Sequence, residues 1–336
     1  MKIGILTSGG DCPGINATIR GVGKTAILHY GMTVYGIREG FDGILEENVV
    51  PLGINELSGI LNQGGTILGT AREKTLRKAL KSNKNNTADR YIQSVKDLEL
   101  DCLVCIGGNG TMKTAEVVSS LGIPVIALPK TIDNDIWGTD LTFGFDTAVD
   151  IATDAIDRLH STAESHKRVM VIEVMGHDAG WIALHAGMAA GGDVILLPEL
   201  GYDIEKVNAC ILARNARGKH YSIVVIAEGI QTPCGTRAAE YIAHAIQTGT
   251  GLETRQTILG YIQRGGSPSA FDRNLGTLLG AHAADLIAQG KFGLMVSYRD
   301  NKTTEIPLSE VANKLKLVTA ETDLVIQGRK MGICFG

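Results

Sequence analysis

Eight short apolar runs rich in β-branched residues alternate along the chain with longer stretches of helical periodicity, and this alternation limits the possible fold classes. The runs predict strands at 2–7, 32–37, 101–106, 123–128, 168–174, 193–197, 221–227 and 294–298. The intervening stretches predict helices at 15–30, 87–98, 111–121, 146–163, 179–190, 203–216, 236–248 and 271–289. The pattern is typical of an α/β protein with mainly parallel sheets. Because 336 residues exceed one typical core, we expect two lobes.

Composition and charge narrow the classes of partner. Hydrophobic residues make up 44% of the chain and charged residues 20%, which excludes a disordered chain or a coiled coil. The net charge of -4, without a block of like charges, predicts neither nucleic acid nor a membrane as partner. Apolar runs end far short of the roughly 20 residues that span a bilayer. The start, MKIGILTSGGD, lacks a signal-peptide pattern, so we expect a cytoplasmic protein.

The six cysteines are scattered, which predicts free thiols in a reducing compartment. Cys102 and Cys105 form a single CxxC pair inside an apolar predicted strand. Because no second pair accompanies it, we interpret the pair as buried thiols and not as a metal or redox site.

Two glycine-rich turns each follow a predicted strand, SGGDCPG at 8–14 and GGNGT at 107–111. Backbone N–H groups of such turns can approach a phosphate, and the next helix adds partial positive charge. One glycine pair alone is equally consistent with a tight turn. Two pairs at the carboxyl ends of parallel strands favour phosphate binding. The segment GVGKT at 21–25 is rejected as a P-loop, because Thr18 replaces the required first glycine and the segment lies within a helical pattern.

A third motif, PKTIDND at 129–135, places Asp133 and Asp135 on a loop after a strand. Phosphoryl transfer needs a base for the attacking hydroxyl and a carboxylate for Mg²⁺. A DND loop alone could be a turn or a helix cap. The position of this loop after a strand and beside Lys130 and Thr131 favours a catalytic role over a turn or a helix cap. Four arginines are candidate phosphate ligands, although each could instead be a surface residue: Arg72, Arg168, Arg255 and Arg264.

Taken together, these motifs resemble the phosphofructokinases, the enzymes that phosphorylate the 1-hydroxyl of fructose 6-phosphate in glycolysis. The resemblance begins at residue 8 and ends near residue 275, through SGGDCPGINATIRG, GTILGTAR, IGGNGT, LPKTIDND, SHKR, EVMG, IAEG and ETRQTILGYIQRGGSP. It implies two doubly wound Rossmann-like lobes with the site in the cleft. The phosphoryl-donor lobe would span 1–138 with 256–305, and the sugar-phosphate lobe 139–255 with 306–336. An NAD or lipid kinase would explain GGNGT alone, but not the other motifs.

The resemblance assigns roles to matched positions. The positions that match the donor site are Gly10, Arg72, Gly108, Asn109, Gly110 and Thr111. Asp133 matches the catalytic base, Thr131 and Asp135 match its neighbours that assist the substrate, and Lys130 matches a residue that contacts donor phosphates. Asn109 and Asp135 would lie at the Mg²⁺ site.

The resemblance also implies a sugar-phosphate site formed by Met175, Gly176, His177, Glu228, Tyr261 and Arg264. Arg168 and Arg255 match residues that family members supply from an adjacent subunit to the 6-phosphate. A shared site implies a homo-oligomer, usually a tetramer in this family, with a dimer as the alternative. His177 stands where many members have arginine and Tyr261 where many have histidine, so affinity for the 6-phosphate could differ.

Three departures concern the phosphoryl donor and the metal. Asn109 replaces an acid of the metal site, so either Mg²⁺ binds more weakly or Asp135 dominates. Gly110 resembles the ATP-using members, whereas Lys130 resembles the pyrophosphate users. We give Gly110 more weight, because an acidic side chain there would block the α-phosphate of ATP, while a flexible lysine can coexist with either donor.

The leading expectation is therefore an ATP-dependent 6-phosphofructokinase. The alternative is a pyrophosphate-dependent fructose 6-phosphate 1-phosphotransferase. A third reading, a non-catalytic subunit that binds sugar phosphate, is motivated only by Asn109. The presence of Asp133, Asp135, Thr131 and Arg72 argues against it.

Overall fold

The computed structural model describes residues 1–336, except for the side chain of Cys234. The chain forms two compact units, and each is discontinuous in sequence. Unit 1 consists of Met1–Ile132, Ile136–Asp146 and Arg264–Leu315. Unit 2 consists of Asp133–Asp135, Thr147–Gln263 and Lys316–Gly336.

The elements follow an α/β order. The strands are β1 (Lys2–Ser8), β2 (Thr33–Ile37), β3 (Val49–Pro51), β4 (Cys102–Gly107), β5 (Val125–Pro129), β6 (Val169–Val174), β7 (Val194–Leu196), β8 (Ser222–Ala227), β9 (Thr254–Ile258), β10 (Leu294–Arg299) and β11 (Lys302–Pro307). The helices are α1 (Ile15–Leu28), α2 (Asp42–Leu45), α3 (Lys74–Ser82), α4 (Thr87–Asp97), α5 (Asn109–Ser120), α6 (Phe145–His166), α7 (Trp181–Ala189), α8 (Ile204–Ala216), α9 (Ala238–Thr250), α10 (Ala270–Ala288), α11 (Leu308–Val311) and α12 (Asp323–Lys330).

The seven-stranded sheet of unit 1 brings the three sequence motifs together. Its strand order is β11-β10-β5-β4-β1-β2-β3, parallel except at the two antiparallel edge pairs. The strands β4 and β5 are buried along their whole length, as expected for parallel strands covered on both faces. In register, Ser8 of β1 pairs with Gly107 of β4, and Gly107 pairs with Pro129 of β5. The motifs that follow these residues therefore leave the same edge of the sheet side by side.

Helices α1 and α10 pack through glycines at backbone contact. A Cβ atom on Gly21 would lie 2.7 Å from the carbonyl oxygen of Thr277, and one on Gly280 would lie 2.5 Å from that of Thr18. No larger side chain fits there without a shift of the helices. The segment GVGKT thus lies inside a packed helix, as its rejection as a P-loop predicts.

Unit 2 contains a sheet of four parallel strands in the order β7-β8-β6-β9. The central strands β6 and β8 are fully buried. Apolar residues of α8 and α9 cover them, including Val207, Ile211, Ile242 and Ile246. The carboxyl ends of β6 and β8 lead into the EVMG and IAEG motifs, which therefore also leave adjacent strands.

The predicted α/β class with mainly parallel sheets is confirmed, and all eight predicted strands are present. Sequence reasoning missed β3, β9 and β11. The start of α5 was also wrong by two residues, because Asn109 already belongs to the helix. The compact units differ from the predicted lobe bounds in four places. Residues 133–135 and 256–263 group with unit 2, where β9 pairs with β6, and residues 139–146 and 306–315 group with unit 1.

Burial supports the interpretation of the cysteines. Cys102 and Cys105 lie completely buried in β4 and are free thiols, as are Cys12, Cys210 and Cys334. Burial raises the pKa of both β4 thiols, so they stay protonated at neutral pH. Cys234 lies outside the described side chains. None of the described helices combines the length and apolar character needed to cross a bilayer.

Candidate active site

The first glycine turn joins β1 to α1 in unit 1. Gly9 and Gly14 adopt φ values of +81° and +100°, which L-residues with a side chain rarely adopt. The ammonium of Lys130 donates a hydrogen bond to the carbonyl oxygen of Gly10. A side chain on Gly10 would collide with the guanidinium of Arg264. The structure therefore places Arg264, predicted as a sugar contact, against the first glycine turn of unit 1, which was predicted to bind the donor.

A second segment, Thr70 to Glu73, is hydrogen-bonded to this turn. The Thr70 hydroxyl donates to the Gly9 carbonyl oxygen at 2.6 Å, and the Gly9 N–H donates to the carbonyl oxygen of Ala71 at 3.0 Å. These bonds hold Arg72 next to the turn, and the Arg72 side chain is exposed. Among the described residues Arg72 has no ion pair, so its guanidinium is available to an anionic ligand.

The second glycine turn is the start of α5. Gly108 is the N-cap, and Asn109 and Gly110 form the first helical turn, so their N–H groups have no partner within the helix. Thr111 is 1% exposed, and its one hydroxyl hydrogen is shared between the Ser8 carbonyl oxygen and Glu73 Oε1, each 3.3 Å away. The contact with Ser8 links the two glycine turns. The arrangement presents backbone donors at the positive end of a helix, where phosphate binds readily.

The PKTIDND motif continues from β5. Lys130 is 2% exposed, and the Thr131 carbonyl oxygen accepts a hydrogen bond from the Thr142 hydroxyl at 2.7 Å. Within unit 2, Lys316 holds the acidic part of the loop. Its N–H donates to the Asp135 carbonyl oxygen and its ammonium to Asn134 Oδ1, both at 2.9 Å. Asp133, half-buried, lies on this anchored loop.

Lys316 was missed by the sequence reasoning. Its carbonyl oxygen accepts the Trp181 indole N–H at 2.9 Å, and its ammonium lies 5.4 Å from the centre of that ring. Lys316 is distant in sequence from every recognised motif, so no local signal marked it.

The oxygen ligands available to Mg²⁺ are few. Asp135 is 8% exposed, and Asn109 offers an amide oxygen. No cluster of three or more His, Cys, Asp or Glu side chains occurs in the described part of the chain. Mg²⁺ typically keeps several waters and binds one or two carboxylates together with substrate phosphates, so the Asp135 carboxylate of unit 2 is a chemically suitable donor, as is the Asn109 amide oxygen of unit 1.

Unit 2 contains a cavity of about 590 Å³ at the ends of β6 and β8. It is lined by Glu173, Met175, His177, Asp178, Glu228, Gly229, Arg237, Ile258, Gly260 and Tyr261. Four of the predicted sugar-phosphate residues are therefore brought together. Gly176 lies between two of them on the same loop.

The carboxylate of Glu228 fixes the shape of this loop. Its Oε1 atom accepts the N–H groups of Gly176 at 3.3 Å and His177 at 2.9 Å. Gly176 adopts φ +148° and His177 φ +53°. The His177 ring Nδ1 lies 3.0 Å from a carboxylate oxygen of Asp178. Glu228 thus orients the backbone that carries the predicted substrate contacts.

Arg168 and Arg255 share one carboxylate elsewhere in unit 2. Arg168 Nε lies 2.9 Å from Glu253 Oε2, and Arg255 Nη2 lies 2.6 Å from Oε1. The hydrogen bond from Arg168 lowers the pKa of Glu253, and the charge of Arg255 lowers it further. Neither arginine lines the cavity formed by its own chain.

Two further residues escaped the sequence reasoning. Arg237 lines the cavity from the start of α9, but it belongs to no motif. Glu73 directly follows GTAR, and its buried carboxylate accepts the hydroxyls of Ser8 at 2.5 Å and Thr111 at 3.3 Å. The available signal for Glu73 was its position directly after Arg72, the arginine predicted to bind phosphate.

Comparison with known proteins gives consistent matches. The family model for phosphofructokinase matches residues 2–287. A Bacteroides thetaiotaomicron protein named ATP-dependent 6-phosphofructokinase 3 is 63% identical over 336 residues, covering 100% of both chains. A Streptomyces coelicolor protein named pyrophosphate–fructose 6-phosphate 1-phosphotransferase is 45% identical over 338 residues, covering 95% of this chain and 96% of that protein. A solved pyrophosphate-dependent phosphofructokinase from Nitrosospira multiformis is 25% identical with a TM-score of 0.86, covering 100% of this chain and 89% of that one. The chain described above belongs to the phosphofructokinase family.

Proposed function

We propose that this protein transfers the γ-phosphoryl group of ATP to the 1-hydroxyl of fructose 6-phosphate, giving fructose 1,6-bisphosphate and ADP in glycolysis. One observation carries the proposal: β1, β4 and β5 lie adjacent and in register, so that SGGDCPG, GGNGT and PKTIDND leave one sheet edge together. The full-length match to a protein named ATP-dependent 6-phosphofructokinase 3 supports the same reaction.

Two features of unit 1 favour ATP over pyrophosphate. Gly110 is exposed and has no side chain, so it leaves space beside the first turn of α5 for a nucleotide. Lys130 is buried, and its ammonium donates to the Gly10 carbonyl oxygen. Since that lysine stabilises the protein's own turn, its presence does not require a pyrophosphate donor.

The proposed roles follow from these positions. Unit 1 would bind the donor through Gly10, the first turn of α5 and Arg72, whose charge would stabilise the phosphoryl group during in-line transfer. Asp133 would accept the proton of the sugar hydroxyl, assisted by the neighbouring Thr131. Mg²⁺, held by Asn109 and Asp135, would neutralise charge on the donor phosphates. Unit 2 would bind the sugar phosphate in the cavity around Met175.

We also propose that the protein is a cytoplasmic homo-oligomer, with a tetramer as the expected state. Arg168 and Arg255 lie outside the cavity of their own chain, and the Arg255 side chain is 59% exposed. Both could therefore serve the 6-phosphate of an adjacent subunit.

The first test compares initial rates with fructose 6-phosphate and Mg²⁺ when ATP or pyrophosphate is the donor. Activity with ATP alone is expected. The variant D133S, prepared in the same way, controls for a contaminating kinase. Activity with pyrophosphate alone would overturn the donor assignment. Activity with neither donor would favour a non-catalytic subunit that binds sugar phosphate.

A further inference from the structure

The charged groups of the unit 2 cavity do not match an anionic substrate by number alone. Three acidic residues line it, Glu173, Asp178 and Glu228, against His177 and Arg237. A phosphate monoester carries between one and two negative charges at neutral pH. A cationic group on this chain would therefore favour phosphate binding at the cavity, in addition to the arginines proposed to come from an adjacent subunit.

The acidic residues are all occupied by donors of unit 2. Glu228 accepts the backbone N–H groups of Gly176 and His177, and Glu173 accepts the N–H of Ala239 at 2.8 Å. A carboxylate oxygen of Asp178 lies 3.0 Å from Nδ1 of His177. Asp178 and this nitrogen of the His177 ring are therefore paired with each other.

Arg237 differs from these residues. Its guanidinium forms no hydrogen bond or ion pair with any described side chain or backbone group, and the residue is exposed. The other two arginines predicted for the 6-phosphate, Arg168 and Arg255, bind Glu253 and do not line the cavity. Arg237 is thus the available arginine in the described lining.

The backbone of Arg237 is held next to the strand that leads into the loop of Met175 and His177. Arg237 is the residue immediately before α9, and Glu173 of β6 accepts the N–H of Ala239 in the first turn of that helix. Glu173 is 8% exposed, and its strand leads directly into the loop of Met175 and His177. One buried hydrogen bond therefore connects the start of α9 to β6, the strand that leads into this loop. The partial positive charge of the helix N-terminus adds to that of the arginine.

We propose that Arg237 binds the phosphate group of the sugar substrate within its own chain. This assignment rests on the proposed function, because it takes the cavity as the sugar-phosphate site. A planar guanidinium can donate two parallel hydrogen bonds to phosphate oxygens, which gives orientation as well as attraction. Arg237 would supply a cation at a cavity where His177 is already paired with Asp178.

The test uses the full chain with the variants R237A and R237K. R217A is a matched control, because Arg217 is an exposed arginine at the end of α8 that does not line the cavity. We expect R237A to raise the KM for fructose 6-phosphate by about 10- to 100-fold, the range for loss of a charged hydrogen bond, with kcat and the KM for ATP nearly unchanged. R237K should be intermediate, because it keeps the charge and loses the two-pronged geometry.

Calorimetric titration of the same proteins with fructose 6-phosphate, fructose and inorganic phosphate separates this proposal from the proposed function. Weaker binding of both phosphate-containing ligands to R237A, with R217A like the wild type, supports the role even if no turnover occurs. Affinity of R237A for fructose 6-phosphate within about twofold of the wild type would overturn it. Equal losses for R237A and R217A would do the same. A wild-type protein that binds neither phosphate-containing ligand would overturn both proposals.

Discussion

The short distance between Glu73 and Gly110 predicts how the proposed donor site responds to an acidic residue at position 110. Glu73 is 5% exposed, and its carboxylate joins the end of β1 to the start of α5 through Ser8 and Thr111. A Cβ atom placed on Gly110 would lie 3.1 Å from Glu73 Oε1. The carbonyl oxygen of Gly110 also accepts a hydrogen bond from Arg77 at 2.9 Å, which limits how far the backbone can move away.

The variant G110D would add two costs at this contact. Overpacking costs about 1–3 kcal/mol. A second carboxylate about 4 Å from Glu73 adds up to roughly 4 kcal/mol at an effective dielectric constant of about 20. An aspartate in the first turn of a helix normally stabilises it by about 0.3–1 kcal/mol, so a large loss must come from the Glu73 carboxylate or from the block to the α-phosphate of ATP, which the comparison with E73Q/G110D separates. We expect G110D to lower kcat/KM for ATP by at least ~10²-fold, since about 1.4 kcal/mol corresponds to a factor of ten.

The companion variant E73Q keeps the shape of residue 73 and removes its charge. The double variant E73Q/G110D should recover at least ~10-fold of the lost kcat/KM, a coupling of about 1–3 kcal/mol. G110A separates the steric cost from the charge, because it adds the Cβ atom alone. The kcat/KM of each variant is measured by steady-state kinetics with ATP and with pyrophosphate. Thermal unfolding of each variant measures its stability. Equal losses in G110D with and without E73Q would refute the electrostatic argument.

Three other changes give separate tests. D133S should lower kcat by at least ~10²-fold in steady-state assays while the KM for fructose 6-phosphate stays within a few-fold, and near-normal turnover would exclude a general base at this position. K316M removes the donor to Asn134 Oδ1, so we expect a lower kcat with little change in KM, partly restored in K316R, and unaltered kcat would contradict a positioning role. G280A places a methyl group 2.5 Å from the Thr18 carbonyl oxygen and should lower the free energy of unfolding in urea by about 1–3 kcal/mol, whereas unchanged stability would mean that α1 and α10 separate without cost.

The sequence predicted the elements whose signals are local. The strands of both sheets that are buried on two faces read as continuous apolar runs, and all of them were found. The strand β9 was missed because it contains Arg255 and Gln256 and is mostly exposed, which resembles a loop. The start of α5 was placed too late because glycines were read as loop residues, although Gly108 caps the helix and Asn109 begins it.

The residues that the sequence did not reveal depend on contacts between distant segments. Glu73 is defined by its bonds to Ser8 and Thr111, and Lys316 by its bond to Asn134, 182 residues away along the chain. Arg237 becomes a candidate ligand only because Glu173 holds the start of α9. A single sequence shows the residue types but not these tertiary neighbours. The motifs were therefore predicted, whereas the distant residues that hydrogen-bond to them were not.

The discontinuity of the two units has a consequence for biosynthesis. A chain synthesised from its N-terminus completes the four strands of the unit 2 sheet at Ile258, whereas the unit 1 sheet lacks β10 and β11 until Pro307. Until α10 has been made, α1 has no glycine surface to pack against, and its buried face stays exposed on the nascent chain. Contacts at this sequence separation form late and slowly. Since each unit takes segments from three parts of the chain, no single cut releases either one as a complete folding fragment.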